Sequence, residues 1–184
     1  MREIDRLNML ITEFLDYSRP ESNPSQIVSL GPILKEVLQN AVTKPLQLNL
    51  NVSDQAFIAA DANKLRQAFL NIIINAVQAM YNCEKRILNV QAQPVGDKVQ
   101  VVIKDTGCGM SESTRQRMFE PFHTTKAKGT GLGLAVTHKI LQAHGATIDI
   151  DSKQGLGTEF KITFPLKVVE NQTVASENNK KEVG

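Results

Sequence analysis

The sequence predicts an α+β fold: a mixed, mainly antiparallel sheet with helices on one face, preceded by one N-terminal coiled-coil-type helix. Three observations lead there. Strand-like and helix-like segments follow one another without the regular βαβ alternation of a parallel sheet. The stretch Leu46-Gln47-Leu48-Asn49-Leu50-Asn51-Val52 alternates strictly, the mark of a half-buried strand. Glycine-rich loops fill much of residues 105–133.

Taken in order, residues 1–19 read as one amphipathic helix. Ile4, Leu7, Ile11, Phe14 and Ser18 form a heptad seam flanked by Leu10 and Leu15. Pro20 and Pro24 end it, and so short a seam needs a partner helix to be buried. A short strand over Gln26-Ile27-Val28-Ser29-Leu30 is followed by Gly31-Pro32 and a helix with Ile33, Leu34, Val37, Leu38 and Ala41 inward. Phe57-Ile58-Ala59 is expected to be a short neighbour of the alternating strand. Asp61 is expected to cap a long helix running to about Tyr81, with Leu65, Phe69, Ile72, Ile73, Ala76 and Met80 on its core face. Strands over 86–93 and 98–104 flank a Gly96-Asp97 turn. A helix over about 132–144 ends at Gly145, and strands over 146–151 and 159–165 close the domain. From Lys167 the chain is polar and reads as a mobile tail.

Composition narrows the function. The chain has 184 residues, 41% of them hydrophobic, enough for one real core. Twenty-one basic against 19 acidic residues give a charge of +2. No basic cluster exceeds a pair, so a nucleic-acid partner is not expected. No apolar run approaches the ~18 residues of a membrane span, and Met1 to Asp5 carry no signal-peptide pattern. The expectation is a cytoplasmic segment without membrane contact. Cys83 and Cys108 form no CxxC motif and read as free thiols.

Four stretches carry chemistry. On the long helix, Gln67, Asn71, Asn75 and Gln78 share one stripe, where Lys and Glu would be the ordinary solvated choice. Carboxamides there point to neutral ligands for something polar. Asp105-Thr106-Gly107-Cys108-Gly109-Met110 follows a strand, placing one acceptor beside flexible backbone. Gly129-Thr130-Gly131-Leu132-Gly133-Leu134 leads into a helix, whose N-terminal N–H groups suit an anion, typically phosphate. It is neither a Walker A loop nor a dinucleotide fingerprint. Gly155-Leu156-Gly157-Thr158 is by itself only a hairpin turn.

In sequence order, these four together with Phe119-Glu120-Pro121-Phe122 resemble the N, G1, F, G2 and G3 boxes of the catalytic ATP-binding domain of bacterial sensor histidine kinases. The resemblance covers about residues 25–166. Asn75-Ala76-Val77-Gln78-Ala79-Met80 and His123-Thr124-Thr125-Lys126 look most like the nitrogen-regulation branch, whose response regulators activate alternative-sigma-factor transcription. It implies the two-layer fold of the GHKL ATP-binding domains and a division into the end of a dimerisation-hairpin helix (1–20), a linker (21–26), the catalytic domain (27–166) and a tail (167–184). It further implies ATP and Mg²⁺ as ligands, with Asp105 accepting the adenine amino group and Gly107 and Gly109 admitting the ring. Asn75 would hold Mg²⁺, and Asn71 and Gln78 would line the phosphate side. Lys126 and the backbone of Gly129, Thr130, Gly131, Leu132 and Gly133 would hold the triphosphate under a closing lid. Thr158 would support the adenine end, and Phe119 and Phe122 the base of the lid. The implied partners are a response regulator receiver domain and a second copy of the chain.

A kinase of this kind needs a phosphoacceptor histidine with an acidic neighbour. His123, His138 and His144 lack one and are expected to be surface or lid residues, which puts the acceptor upstream. The related gyrase- and Hsp90-type ATPases share the pocket but carry Glu where Asn71 stands. An amide cannot take a proton from attacking water, which favours the kinase. A non-catalytic nucleotide-binding module is the remaining alternative.

Overall fold

The computed structural model describes residues 26–42, 45–126 and 129–166, together with Ile11, Leu15 and Ser18. Those three are helical and exposed. The rest of the predicted N-terminal helix, the linker to residue 25 and the tail from Lys167 lie outside the described residues. Eleven elements follow among the described residues: β1 (Gln26–Ser29), α1 (Leu30–Ala41), β2 (Gln47–Val52), β3 (Phe57–Ala60), α2 (Ala62–Ala79), β4 (Ile87–Val95), β5 (Lys98–Asp105), α3 (Glu112–Arg117), α4 (Gly133–Ala143), β6 (Thr147–Lys153) and β7 (Gly157–Pro165). Strand β1 starts at Gln26, the last residue assigned to the linker.

Five strands form the main sheet in the order β2-β4-β5-β7-β6, parallel between β2 and β4 and antiparallel elsewhere. Its strands alternate as the pleat demands. Leu88, Val90 and Ala92 of β4, Val99, Val101 and Ile103 of β5, and Phe160, Ile162 and Phe164 of β7 are buried under the helices. Apart from Ala92, each of these side chains contributes roughly 1.5–3 kcal/mol of burial. Helix α2 packs between α1 and α4, and Phe69 meets Phe164 edge-on at 6.5 Å. Its predicted core face, Leu65 to Met80, is buried throughout. As expected, Asp61 caps α2, its carboxylate accepting from the N–H groups of Asn63 (2.8 Å) and Lys64 (3.2 Å).

Three readings need correction. Strand β2 pairs only with β4, at the sheet edge, and Leu48 and Leu50 are exposed rather than half-buried. The alternation was real, but the helical layer does not cover that rim. Strand β3 does not join β2: it pairs antiparallel with β1 in a separate two-stranded ribbon. A turn around Ser53–Ala56 takes the chain out of the main sheet, and the Leu30 N–H then donates to the Ala56 carbonyl. The glycine-rich region also contains α3, whose Ser111 Oγ accepts from the Thr114 N–H at 3.2 Å. Its sequence signal was that serine followed by Glu112 in the first turn.

Candidate functional site

The C-terminal half of α2, the end of β5, the N-terminus of α4 and the start of β7 meet at one edge of the domain, and each brings one of the singled-out stretches. Asp105 ends β5 and faces Thr158 in the β5–β7 register. Only 3% exposed, it accepts from the Gly107 N–H at 2.7 Å and from the Thr158 backbone. Burial lifts its pKa from 3.8 to about 6, against the pull of those two N–H groups. At neutral pH it is therefore a dry carboxylate, a strong acceptor for a neutral N–H donor.

The loop after Asp105 is clamped to the β6–β7 hairpin. The Gly155 N–H donates to the Cys108 carbonyl at 2.7 Å, and the Met110 N–H to Ser152 Oγ at 2.9 Å. Ser152 Oγ also lies 2.9 Å from Thr158 Oγ1. A Cβ on Gly109, whose φ is +63°, would collide with the Lys153 carbonyl oxygen. Gly109 is thus needed for packing against the hairpin itself. Thr106 holds the other side, its Oγ1 accepting from the Ile87 N–H at 3.0 Å and donating to the Lys85 carbonyl at 2.9 Å.

On α2 the stripe is as predicted: Gln67, Asn71 and Asn75 are half-buried and Gln78 exposed. Asn71 Nδ2 donates to the Gly133 carbonyl at 2.9 Å and to Thr137 Oγ1 at 3.3 Å, tying α2 to the first turn of α4. Lys126 reaches across from the loop that precedes α4, its ammonium donating to Asn75 Oδ1 and, at 2.6 Å, to Gln78 Oε1. The residue as a whole is exposed, yet its ammonium is desolvated enough to lower its pKa. Two neutral carboxamide oxygens thus converge on one cation.

The residues expected to form a lid lie just before α4. Gly131, with φ of +73°, packs so closely on the Phe122 backbone that a Cβ would strike it, and the Phe122 N–H donates to the Gly131 carbonyl at 3.0 Å. Phe119 stacks on His138, their ring centroids 4.6 Å apart. Phe122 does not: its side chain is 61% exposed and its φ is +64°, so backbone alone holds this corner. Leu132 is fully buried, leaving only its backbone for the cleft, and its N–H points at Thr130 Oγ1 at 3.4 Å. Gly129 and Thr130 are half-buried beside it.

His144 is also corrected. It is 4% exposed, with Nδ1 2.7 Å from the Ile140 carbonyl and Nε2 accepting from the Asp61 N–H at 3.0 Å. It joins the end of α4 to the start of α2. Thr137 and Ser152 carry no sequence signal, because isolated hydroxyl residues have no spacing pattern, whereas Thr106 lies within the stretch after β5 but has no role assigned from the sequence.

A buried carboxylate with glycines packed closely beside it, a row of carboxamides and a glycine-rich helix start thus lie along one edge of the domain. The chain belongs to the family described as histidine kinase-, DNA gyrase B-, and HSP90-like ATPase, which matches residues 60–168. Within it the chain carries a histidine-kinase-type ATP-binding catalytic domain. It is 38% identical over 180 residues to the signal transduction histidine-protein kinase AtoS of Escherichia coli (strain K12), covering 95% of this chain and 29% of that protein. It is 35% identical over 172 residues to the sensor histidine kinase ZraS of the same organism, covering 91% of this chain and 37% of ZraS. The solved structure of full-length ShkA in complex with AMPPNP matches 90% of this chain and 37% of its own, at 26% identity and a TM-score of 0.75. The chain therefore spans well under half the length of these relatives. Among the described residues no helix is long and apolar enough to cross a membrane.

Proposed function

We propose that this chain is the ATP-binding catalytic part of a two-component sensor histidine kinase. It moves the γ-phosphoryl group of ATP to a histidine on a dimerisation hairpin, for relay to the receiver domain of a response regulator. The observation that carries this is Asn71, a half-buried amide one turn before Asn75 and tied to Gly133 and Thr137. Efficient hydrolysis needs a base for the attacking water, and an amide has no proton affinity to offer. The cleft therefore holds ATP for an acceptor supplied from outside.

In this reading Asp105 accepts the adenine amino group, with Gly107, Gly109 and Thr158 around the ring. Lys126 and the backbone of Gly129, Thr130, Gly131, Leu132 and Gly133 hold the phosphates at the positive end of α4. The residues also fit Mg²⁺: Asn75 Oδ1 and Gln78 Oε1 already converge on a cation, and an ion shared with phosphates needs only one or two protein oxygens. Asn75 is the assigned ligand, and the ion when bound neutralises phosphate charge. In the transfer, the bond from Pγ to the β–γ bridging oxygen breaks, a bond from Pγ to an imidazole nitrogen forms, and ADP leaves. His138 stacks on Phe119 and His144 is buried between two helices, so neither serves as acceptor. The heptad seam of residues 1–20 is assigned to the hairpin that pairs two copies, residues 21–26 to a linker, 27–166 to the catalytic domain and 167–184 to a tail. The domain works in the cytoplasm.

The test is the fate of γ-labelled Mg-ATP with and without a separately made hairpin carrying the acceptor histidine. Label on the hairpin, with little free phosphate in its absence, is expected. Rapid multiple-turnover phosphate release without the hairpin would make the chain a hydrolase and overturn the reading of Asn71.

A further inference from the structure

Thr137 is only 1% exposed, yet its hydroxyl lies on the face of α4 turned to α2. Its single proton goes to the Gly133 carbonyl at 2.9 Å, so toward Asn71 its oxygen can only accept. It accepts from Asn71 Nδ2, which also donates to the Gly133 carbonyl. Both amide protons of Asn71 are therefore turned to α4. Among the described residues no hydrogen bond to Asn71 Oδ1 is formed, so this oxygen is what the side chain has left to offer.

We infer that Thr137 is a positioning residue that fixes Asn71 as an acceptor in the nucleotide cleft. Residues 71, 75 and 78 share one face of α2, so the Asn71 amide stands in line with those of Asn75 and Gln78. An amide presenting N–H would suit phosphate oxygens; one presenting oxygen repels them and suits a cation or its water shell. Asn71 thus serves the metal side of the cleft, and the phosphates fall to Lys126 and the α4 backbone. This rests on the cleft being the Mg-nucleotide site.

The experiment compares Thr137→Val, which loses the hydroxyl at similar shape, with Thr137→Ser, which keeps it. In the nucleotide-free full chain, the Asn71 side-chain amide is followed by ¹H–¹⁵N NMR. The hydrogen-bonded signal of the parent is expected to persist in the Ser variant and to shift and exchange faster in the Val variant. Next, ADP affinity is measured with and without Mg²⁺. Thr137→Val should cut the Mg²⁺-dependent gain by about tenfold, the worth of one buried hydrogen bond, and leave Mg²⁺-free affinity nearly unchanged. Thr137→Ser should restore the gain. An unchanged Asn71 signal in the Val variant, equal loss with and without Mg²⁺, or no rescue by Ser would overturn the proposal. If the Val variant does not fold, Thr137→Ala gives the same comparison. A parent chain that binds no ADP would overturn the reading of the cleft, while the Asn71 signal would still decide the positioning.

Discussion

Asp105 carries a conflict between function and stability within one side chain. Its folded pKa of about 6 exceeds the ordinary carboxylate value of 3.8 because burial disfavours the charge. The native state then binds more protons than the unfolded state between those values, so this residue's contribution to stability is greatest below pH 3.8 and is lost as pH rises through 6. At neutral pH the carboxylate costs up to about 3 kcal/mol. Asp105→Asn should therefore abolish nucleotide binding and yet raise the melting temperature at pH 7.5, with the difference from the parent shrinking toward pH 4. A variant that melts lower at pH 7.5, or binds ADP as tightly, would remove the assignment. In the parent, ADP affinity should fall as pH drops through about 6. His144 is the opposite case, a polar residue with no part in the cleft. Its two hydrogen bonds, one buried and one partly buried, make His144→Ala a loss of about 1–3 kcal/mol, read from the urea midpoint; an unmoved midpoint would deny it that role.

At the scale of elements, the segment from Phe122 to Lys126 is held at both ends. The Phe122 backbone is locked to Gly131, and Lys126 is bonded to Asn75 and Gln78 of α2. Lys126→Met removes the second hold and leaves the first. Amide hydrogen exchange in the nucleotide-free chain should then rise between residues 123 and 126 and stay unchanged along α4. Equal protection in parent and variant would mean that the ammonium holds nothing. Much of this was legible in the sequence. The cap at Asp61, the apolar face of α2, the Gly96-Asp97 turn and the glycine stop at Gly145 each rest on local rules, and each appears. The misplaced pieces were non-local. Nothing within residues 53–60 states that β3 will choose β1 over β2, because that choice depends on where Leu30 finds a carbonyl. Leu48 and Leu50 alternate correctly, but their exposure depends on how far the helices extend. The exposed Phe122 side chain and the buried His144 were misread for the same reason: aromatic and imidazole groups suit either environment, and only their neighbours decide.

At the scale of the whole molecule, the proposed cleft draws on residues 71–78, 105–109, 126, 129–133 and 158, so no single segment contains it. A nucleotide bound there bridges the helical layer to the sheet, and its binding energy should stabilise the domain as one unit. At a free concentration of ADP about a hundred times its Kd, linkage adds about 2.7 kcal/mol. In a domain of this size that raises the melting temperature by roughly 5–10 °C. The shift should be larger with Mg²⁺ than without, through Asn75, and absent in Asp105→Asn at the same concentration. Calorimetry distinguishes this from a merely local effect. If the cleft couples both layers, one transition moves as a whole. Two transitions, of which only one moves with ADP, would mean that the nucleotide orders the lid without engaging the sheet, and that Asp105 and Asn75 belong to separately folding parts.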